Sequence, residues 1–408
     1  MNYLPRALER KFLHMNGFFK AILITGARQV GKTTMLRHLA EGGKRTYVSL
    51  DDLAARVLAR SDPALFFQTW QPPVIIDEVQ YAPELFGHIK ILCDASDATG
   101  QIWLTGSQQF SMMKHVHETL AGRIGIMTLH SLSHQEISGV LFADAPDFSL
   151  PALRERQRHV LPTDVRQVFE NIWRGGMPQV LQADAEQRHE YYNAYVNTYL
   201  MRDVAELGGV TDSLRFGKFL VACAALTAEP VNYKKLTEAT GISQPTAKTW
   251  LHLLEGLGVV YLLAPYVNNA LKRLAKTPKL YFCDSGLAAY LAGWLTPLTL
   301  MNGAASGHFF ENYVITELLK SYAYAKSPAK LSYLREANAL EIDLLIEENQ
   351  RIHPFEIKKS ASPDYREVKK FALLDKAGAT RGCGGIICMS EEAVPVDAQN
   401  CLIPCALL

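Results

Sequence analysis

The sequence has no excess of charge of either sign. It holds 42 Lys and Arg residues against 41 Asp and Glu residues, so its formal net charge is +1. A protein that is drawn to nucleic acid by its overall field carries a marked basic excess. Any contact of this protein with nucleic acid must therefore come from a local basic patch.

The sequence also lacks an apolar run long enough to cross a membrane. Its best run covers residues 256–267, which is short of the roughly 20 residues that a spanning helix needs. The amino-terminal residues are charged within the first turns and have no apolar core, so we expect no secretory signal. The seven cysteines are an odd number in mostly apolar surroundings, as is typical of reduced thiols. We therefore expect a cytoplasmic protein without a membrane partner.

The chain has an α/β pattern with three regions of different texture. Its 408 residues correspond to about two to four domains. In residues 1–160, short apolar runs alternate with helix-like segments, which predicts a parallel sheet with flanking helices. Residues 161–300 have a mainly helical pattern. In residues 301–408 a long helix precedes several strand-like runs, which predicts a further α/β domain.

Residues 26–33 satisfy the pattern G-x-x-x-x-G-K-[ST] and lie between a strand-like run and a helix-like segment. Glycines let the backbone close around phosphate oxygens, and the helix start supplies free N–H groups. The pattern predicts an ATP-binding loop in which Lys32 reaches the β- and γ-phosphates and the Thr33 hydroxyl binds Mg²⁺. The predicted nucleotide-binding residues are Gly26, Ala27, Arg28, Gln29, Val30, Gly31, Lys32, Thr33 and Thr34.

Polar residues end three further strand-like runs. The run PVIIDE ends in Asp77 and Glu78, and the carboxyl ends of parallel strands meet where nucleotides bind. We expect Asp77 to hold Mg²⁺ through water and Glu78 to deprotonate the attacking water. Ser107, which ends QIWLTGS, is expected to sense the γ-phosphate, unless it belongs to a simple turn. Asp51 and Asp52 end RTYVSLDD and are expected to line the same edge.

Arg123, in the segment LAGR, is a candidate for stabilising charge in the transition state. It could act within its own chain or on the site of a neighbouring subunit. The second possibility requires a homo-oligomer. An ordinary surface arginine is the alternative interpretation.

The segments GARQVGKTT, VIIDEVQYAPELF, LTGS and LAGR resemble those of a large prokaryotic family of AAA+-type P-loop ATPases. The resemblance continues through YLMRDV, KTPKLYFCDSGLAAYL, FFENYVITEL and EIDLLIE…FEIKKS, and so covers nearly the whole chain. It implies an ATPase domain at residues 1–160, a winged-helix segment within residues 161–300 and a restriction-endonuclease-like domain at residues 301–408. The chain departs from the family where Gln108 follows Ser107 and where Ser131 replaces a usual proline.

Residues 233–258 have a helix-turn-helix pattern. Gly241 suits the turn, Ser243 caps the second helix, and the apolar residues of that helix share one face. Its opposite face carries Lys248, which a recognition helix would direct into a groove of double-stranded DNA. A packing or protein-interaction module is the alternative interpretation. The basic residues expected to flank this helix as phosphate contacts are Lys272, Arg273, Lys276 and Lys279.

Asp343, Glu356 and Lys358 have the spacing D-x12-E-x-K. Glu356 and Lys358 point to one face of a predicted strand, and a hairpin would bring Asp343 close on an exposed sheet face. We expect Glu317, on the preceding helix, to complete the group, with Glu311 as second choice. Such carboxylates bind magnesium beside a scissile phosphate, and the lysine activates water. The group resembles the core of restriction enzymes, and a salt-bridged hairpin is the alternative.

These patterns support three hypotheses about function. The favoured one is an ATPase whose nucleotide state controls a winged-helix and nuclease-like module acting on DNA. The second is a nucleotide-gated switch that recognises an unidentified protein and has a silent carboxyl-terminal domain. The third is a metal-dependent nuclease in which ATP gates cleavage.

Overall fold

The computed structural model describes residues 3–107, 119–207, 210, 212–267, 277–327, 329–336, 340–376 and 378–408. The chain forms two compact units. The first unit consists of Met1–Leu132 with Gly256–Gly258, and the second of Ser133–Glu255 with Val259–Leu408. The first unit therefore ends earlier than the boundary expected at residue 160. The second unit combines the regions that the sequence separates near residue 300.

The first unit is an α/β structure. Its strands are β1 (Ala21–Thr25), β2 (Thr46–Ser49), β3 (Val74–Asp77), β4 (Ile102–Thr105) and β5 (Ile124–Thr128). Its helices are α1 (Leu8–Asn16), α2 (Lys32–Leu39), α3 (Leu53–Ser61), α4 (Pro63–Thr69) and α5 (Leu85–Ala95), with a 3-10 turn at Val79–Tyr81. The strands form a parallel sheet in the order β2-β3-β4-β1-β5. Apolar side chains bury β1, β3 and β4 on both faces, as expected for strands covered by crossover helices.

The order of these strands decides which residues meet at one edge of the sheet. Strand β4 lies between β1 and β3, with Ile24 opposite Thr105 and Ile76 opposite Leu104. The loop after β1 therefore emerges beside the carboxyl ends of β4 and β3. The sequence prediction that the glycine-rich loop and the acidic strand end share one edge is confirmed.

The second unit begins with a largely helical region. Its helices are α6 (His134–Ser138), α7 (Leu150–Gln157), α8 (Val165–Arg174), α9 (Ala185–Ala194), α10 (Met201–Glu206), α11 (Ser213–Ala225), α12 (Tyr233–Thr240), α13 (Gln244–Gly256), α14 (Ser285–Leu291), α15 (Pro297–Asn302), α16 (Ser306–Tyr324) and α17 (Ala372–Lys376). A π-helical turn, Tyr195–Leu200, joins α9 to α10, and 3-10 turns lie at Pro178–Val180, Tyr365–Phe371 and Cys405–Leu407.

Two sheets complete the second unit. Their strands are β6 (Val260–Leu263), β7 (Lys279–Phe282), β8 (Lys330–Arg335), β9 (Glu341–Glu348), β10 (Arg351–Ile357), β11 (Gly384–Cys388), β12 (Val394–Pro395) and β13 (Asn400–Pro404). Strands β6 and β7 form an antiparallel pair. The other six form a mixed sheet in the order β12-β13-β11-β10-β9-β8. Its apolar core packs against the 3-10 turn at Tyr365–Phe371 and α17.

The predicted hairpin between β9 and β10 is present. Asn349 and Gln350 form its turn with φ values of 49° and 62°, the left-handed pair that a two-residue hairpin favours. Leu344 lies opposite Phe355, so the next residues, Asp343 and Glu356, fall on one side of the sheet.

The helix-turn-helix geometry agrees with the sequence. Gly241 ends α12 with a φ of 70°, and Ser243 accepts a hydrogen bond of 3.2 Å from the Thr246 N–H. The face of α13 that carries Trp250 is buried, whereas Lys248 is exposed. Strands β6 and β7 follow α13 in the chain. Lys272, Arg273 and Lys276, together with Gln108, lie outside the described residues.

A buried asparagine attaches the long helix α16 to β7. The Asn312 side chain accepts a hydrogen bond of 2.7 Å from the Phe282 N–H and donates one of 3.1 Å to the Phe282 carbonyl. Buried backbone groups need such partners. This contact fixes β7, and with it Lys279, beside α16. None of the helices that the structure describes has both the length and the apolarity to cross a membrane.

Candidate functional site

The glycines of the loop after β1 are required by its shape. Gly26 has a φ of 136°, and a Cβ atom there would lie 2.1 Å from the carbonyl oxygen of Leu129. Gly31 has a φ of 97° at the start of α2. L-residues with side chains rarely adopt such conformations. The predicted phosphate-binding loop therefore has the backbone that its pattern requires.

Lys32 is buried at the start of α2 and turns back over the loop. Its ammonium donates hydrogen bonds of 3.0 Å to the Gly26 carbonyl and 2.8 Å to the Ala27 carbonyl. An ammonium binds charged oxygens more strongly than neutral ones. Lys32 is thus positioned to exchange a carbonyl for a phosphate oxygen.

Asp77 connects the loop to the acidic strand end. The Thr33 hydroxyl donates a hydrogen bond of 2.7 Å to Oδ1 of Asp77, and the Tyr47 hydroxyl donates one of 3.0 Å to Oδ2. The Thr105 hydroxyl also donates to Oδ1. Burial, and then Asp77, raises the pKa of Tyr47 to about 12, which keeps this phenol a donor. The Thr33 hydroxyl and the Asp77 carboxylate are both hard oxygen ligands, the kind that Mg²⁺ prefers.

Glu78 follows β3 in a strained backbone conformation. Its φ is 57°, which is uncommon for a residue other than glycine and typical of functional sites. Its N–H donates a hydrogen bond of 3.1 Å to the Thr105 hydroxyl, and Gln80 donates to its carboxylate. The Ser107 hydroxyl lies 3.5 Å from the same carboxylate and accepts from Gln80 at 3.2 Å. Ser107 thus lies beside the predicted base.

Several neighbours of these carboxylates were not identified from the sequence. Tyr47 was assigned no role, and it reaches Asp77 only because β2 pairs with β3. Gln80 lies in the segment VIIDEVQYAPELF, but its contacts with Glu78 and Ser107 were not predicted. Arg28 was predicted as a loop residue, but its ion pair with Glu78, at 3.8 Å, was not. A pattern read along one strand carries no information on which strand lies beside it.

Arg123 is not near the phosphate loop of its own chain. It immediately precedes β5, and β5 runs parallel to β1, so Arg123 lies at the edge of the sheet opposite the loop. It forms a two-point ion pair with Asp94, with N–O distances of 2.5 and 3.2 Å. The prediction that it acts on its own site is wrong, and action on a neighbouring subunit stays a prediction.

Asp51 and Asp52 have local structural contacts. Asp52 caps α3 by accepting a hydrogen bond of 2.8 Å from the Ala55 N–H. Asp51 is exposed and lies 3.9 Å from the Arg56 guanidinium. Helix capping accounts for the carboxylate at position 52.

The structure brings Asp343, Glu356 and Lys358 together, but not on an exposed face. Oδ2 of Asp343 accepts a hydrogen bond of 2.9 Å from the Ile357 N–H, and Lys358 lies 3.0 Å from Glu356. Asp343 is 9% exposed and Glu356 is 0% exposed. The predicted exposure is therefore wrong, because lysines and backbone groups take the place of solvent.

Lys279 is the central cation of this cluster. It is 2% exposed, and its ammonium lies 2.9 Å from Glu311, 2.5 Å from Glu341 and 4.0 Å from Asp343. Burial lowers the pKa of Lys279, but Glu311, Asp343 and Glu341 together raise it above its usual value. The prediction that Lys279 contacts DNA phosphates is wrong, since its charge is enclosed by carboxylates.

Glu317 does not belong to this cluster, and that prediction is wrong. It lies 2.8 Å from Lys320 and accepts a hydrogen bond of 2.8 Å from the His134 N–H. Glu311 is the helix carboxylate that reaches Lys279. Six residues on an α-helix turn through about 600°, so Glu311 and Glu317 face different directions.

Three lysines compensate the buried carboxylates. Lys370 lies 2.7 Å from Glu356, which also pairs with Lys358. Burial, and after it Asp343, raises the pKa of Glu356 to about 8. Burial raises the pKa of Glu311 to about 7, although the positive charge of Lys279 lowers it. Within the part of the chain that the structure describes, no three or more His, Cys, Asp or Glu side chains are arranged to hold a metal ion.

Replacing Lys279 should destabilise the second unit strongly. Lys279→Met removes the cation that Glu311, Glu341 and Asp343 share, and removal of one partner from a buried pair costs about 3–5 kcal/mol. We expect a loss of that size in chemical denaturation. Lys330→Met is the control, because Lys330 is an exposed lysine of β8, in the same unit, and forms an ion pair with Glu347. Equal stability of the two variants would contradict the buried role of Lys279.

The buried Glu356 should also make stability depend on pH. Its pKa rises from 4.5 to about 8 on folding, so the folded protein retains a proton that the unfolded chain releases. This contribution is complete below pH 4.5 and is lost as the pH rises through 8, at about 1.4 kcal/mol per pH unit for one proton. When the free energy of unfolding is measured from pH 5 to 8.5, it should decline less steeply in Glu356→Gln than in the wild type. A curve parallel to that of the wild type would refute the shift.

Three family profiles match separate parts of the chain. Residues 18–138 match an AAA domain. Residues 165–298 and 306–408 match two domains of unknown function, DUF8612 and DUF4143. An uncharacterized protein of Mycobacterium tuberculosis is 28% identical over 357 residues, which cover 87% of this chain and 74% of that protein.

Two of the solved structures with similarity to this chain have low sequence identity to it. A Walker-type ATPase of Pyrococcus abyssi has 16% identity and a TM-score of 0.44, over 71% of this chain and 96% of its own. The RuvB Holliday junction branch migration motor of Thermotoga maritima has 16% identity and a TM-score of 0.30, over 62% of this chain and 85% of its own. The AAA profile agrees with the loop and strand geometry described above: residues 18–138 form an AAA-type ATPase domain of the P-loop class.

Proposed function

We propose that this protein is a magnesium-dependent ATPase whose nucleotide state controls a second unit acting on DNA. The observation that carries the proposal is the hydrogen bond of 2.7 Å from Thr33 to Asp77. It joins the end of the phosphate loop to the acidic end of β3, with Glu78 as the next residue. These are the three elements that ATP hydrolysis needs at one place.

Each residue of the site has a distinct task in this proposal. Lys32 binds the β- and γ-phosphates. The Thr33 hydroxyl and, through water, Asp77 would hold Mg²⁺, which would supply positive charge to the phosphate oxygens. Glu78 accepts the proton of the attacking water, and Ser107, beside Glu78, senses the γ-phosphate. Arg123, which is half-buried and paired with Asp94, would serve a neighbouring subunit in a homo-oligomer.

Two features of the second unit support a role on double-stranded DNA. Helix α13 follows a tight turn, buries one face and exposes Lys248, as a recognition helix does. The antiparallel pair β6 and β7 comes next in the chain, and this is the element order of a winged helix. The segment between the two strands holds Lys272, Arg273 and Lys276, which are suited to contact phosphates.

The lysines around the D-x12-E-x-K group favour one alternative over another. Lys279 lies 4.0 Å from Asp343, and Lys358 and Lys370 lie 3.0 Å and 2.7 Å from Glu356. This supports a nucleotide-gated switch for a protein partner in which the nuclease-like group is silent. An ATP-gated nuclease would require a divalent cation to displace Lys279 from the carboxylates.

Two substitutions separate nucleotide binding from hydrolysis. Lys32→Ala should weaken ATP binding, because it removes a cation from the phosphates. Glu78→Gln should retain binding and lower turnover by about 10²–10⁴-fold, the usual contribution of a general base. Fluorescent-nucleotide titration and phosphate release measure the two effects. Wild-type turnover in Glu78→Gln would show that Glu78 is not the base.

The DNA role has its own test. Replacing Lys272, Arg273 and Lys276 with Ala should reduce the affinity for double-stranded DNA. The slope of the logarithm of the binding constant against the logarithm of the salt concentration should become less negative by up to about three, near one for each phosphate contact. Adding Lys248→Ala should reduce affinity further. The measurement is a binding titration at several salt concentrations. An unchanged slope would favour the switch for a protein partner.

A further inference from the structure

Arg28 lies inside the phosphate loop and contacts the predicted catalytic base. Its side chain is 9% exposed. One guanidinium nitrogen lies 3.8 Å from Oε1 of Glu78, and another donates a hydrogen bond of 3.1 Å to the Tyr81 hydroxyl. Tyr81 belongs to the 3-10 turn that follows Glu78. Arg28 is therefore fixed from the same segment that carries the base.

The partners of Glu78 limit what its carboxylate can do. Arg28 lies near Oε1, while Gln80 and Ser107 lie near Oε2. These contacts hold the Glu78 carboxylate in place at both of its oxygens.

The location of Arg28 gives it a second possible partner. It lies between Gly26 and Gly31, in the turn whose backbone encloses the phosphates of a bound nucleotide in P-loop proteins. A guanidinium binds phosphate oxygens at two points and favours the more highly charged anion. A γ-phosphate carries more charge than a carboxylate. ATP would thus compete with Glu78 for Arg28.

The proposed reaction also calls for a cationic side chain besides Lys32 and the Mg²⁺ ion. Charge accumulates on the phosphate oxygens during transfer, and P-loop ATPases use an arginine to stabilise it. Arg123 of the same chain lies at the opposite edge of the sheet and pairs with Asp94. Arg28 is the arginine that the loop itself supplies.

We propose that Arg28 is a second γ-phosphate sensor of this site, besides Ser107: it holds Glu78 before ATP binds and moves to the γ-phosphate when ATP is present. This inference rests on the proposed function, because it takes Glu78 as the base. Once released, Glu78 accepts a proton from water while the water oxygen bonds to the γ-phosphorus. The bond from that phosphorus to the ADP oxygen breaks, and its electron pair stays on ADP.

The test compares a non-hydrolysable imido analogue of ATP with ADP. In Arg28→Ala, the dissociation constant of the imido analogue should rise about tenfold or more, the effect of a lost charge-assisted contact. That of ADP should change less than about twofold. The turnover number should fall by about 10²-fold or more, as on loss of an arginine that stabilises the transition state. Arg28→Lys, which retains the charge, should recover part of the preference for the imido analogue.

Arg60→Ala is the matched control, because the exposed Arg60 also contacts Tyr81, through a hydrogen bond of 2.6 Å to its carbonyl oxygen, and lies outside the loop. It should leave both affinities and turnover unchanged. Equal weakening of ADP and the imido analogue in Arg28→Ala would reduce Arg28 to a structural residue and overturn the inference. Wild-type turnover in Arg28→Ala would also overturn it. Absence of hydrolysis in the wild type, or full activity of Glu78→Gln, would instead overturn the proposed function.

Discussion

The ATPase site depends on the set of hydrogen bonds around Asp77. This buried carboxylate accepts hydrogen bonds from three hydroxyl groups, those of Thr33 in α2, Tyr47 in β2 and Thr105 in β4. A buried carboxylate without such donors would be costly. The same bonds hold the phosphate loop, the acidic strand end and the adjacent strand in register. The position of Glu78 follows, because it is the next residue and its N–H is also bound to Thr105.

In the second unit, buried carboxylates are stabilised by ion pairs with lysine side chains. Carboxylates from β9, β10 and α16 converge on one side of the sheet, where they are shielded from solvent. Lys279, from β7, brings a cation into that group, and Asn312 fixes the strand that carries it. Buried pairs of this kind add little net stability compared with apolar packing, but breaking one is costly. The cluster therefore ties the antiparallel pair β6 and β7 to the carboxyl-terminal sheet.

Much of this arrangement follows from local pattern. The loop glycines, Thr33 and Asp77 could be located because each motif combines a strand, a turn and a helix start in consecutive residues. The role of Arg123 stayed open between its own site and a neighbouring subunit, because its motif does not show at which end of the sheet it lies. Glu317 was preferred over Glu311 although both occupy one helix, since helical spacing alone does not show which face of the helix lies against β7. Contacts between strands that are distant in sequence could not be predicted either, because a local pattern does not show which strands are neighbours.

The central claim is that nucleotide chemistry in the first unit is coupled to the second. The most direct measurement is the rate of ATP hydrolysis by the intact chain with Mg²⁺, in the presence and absence of double-stranded DNA. The account predicts turnover that requires Mg²⁺ and changes when DNA is added. Turnover that is independent of Mg²⁺, or that DNA leaves unchanged while DNA is bound, would contradict it.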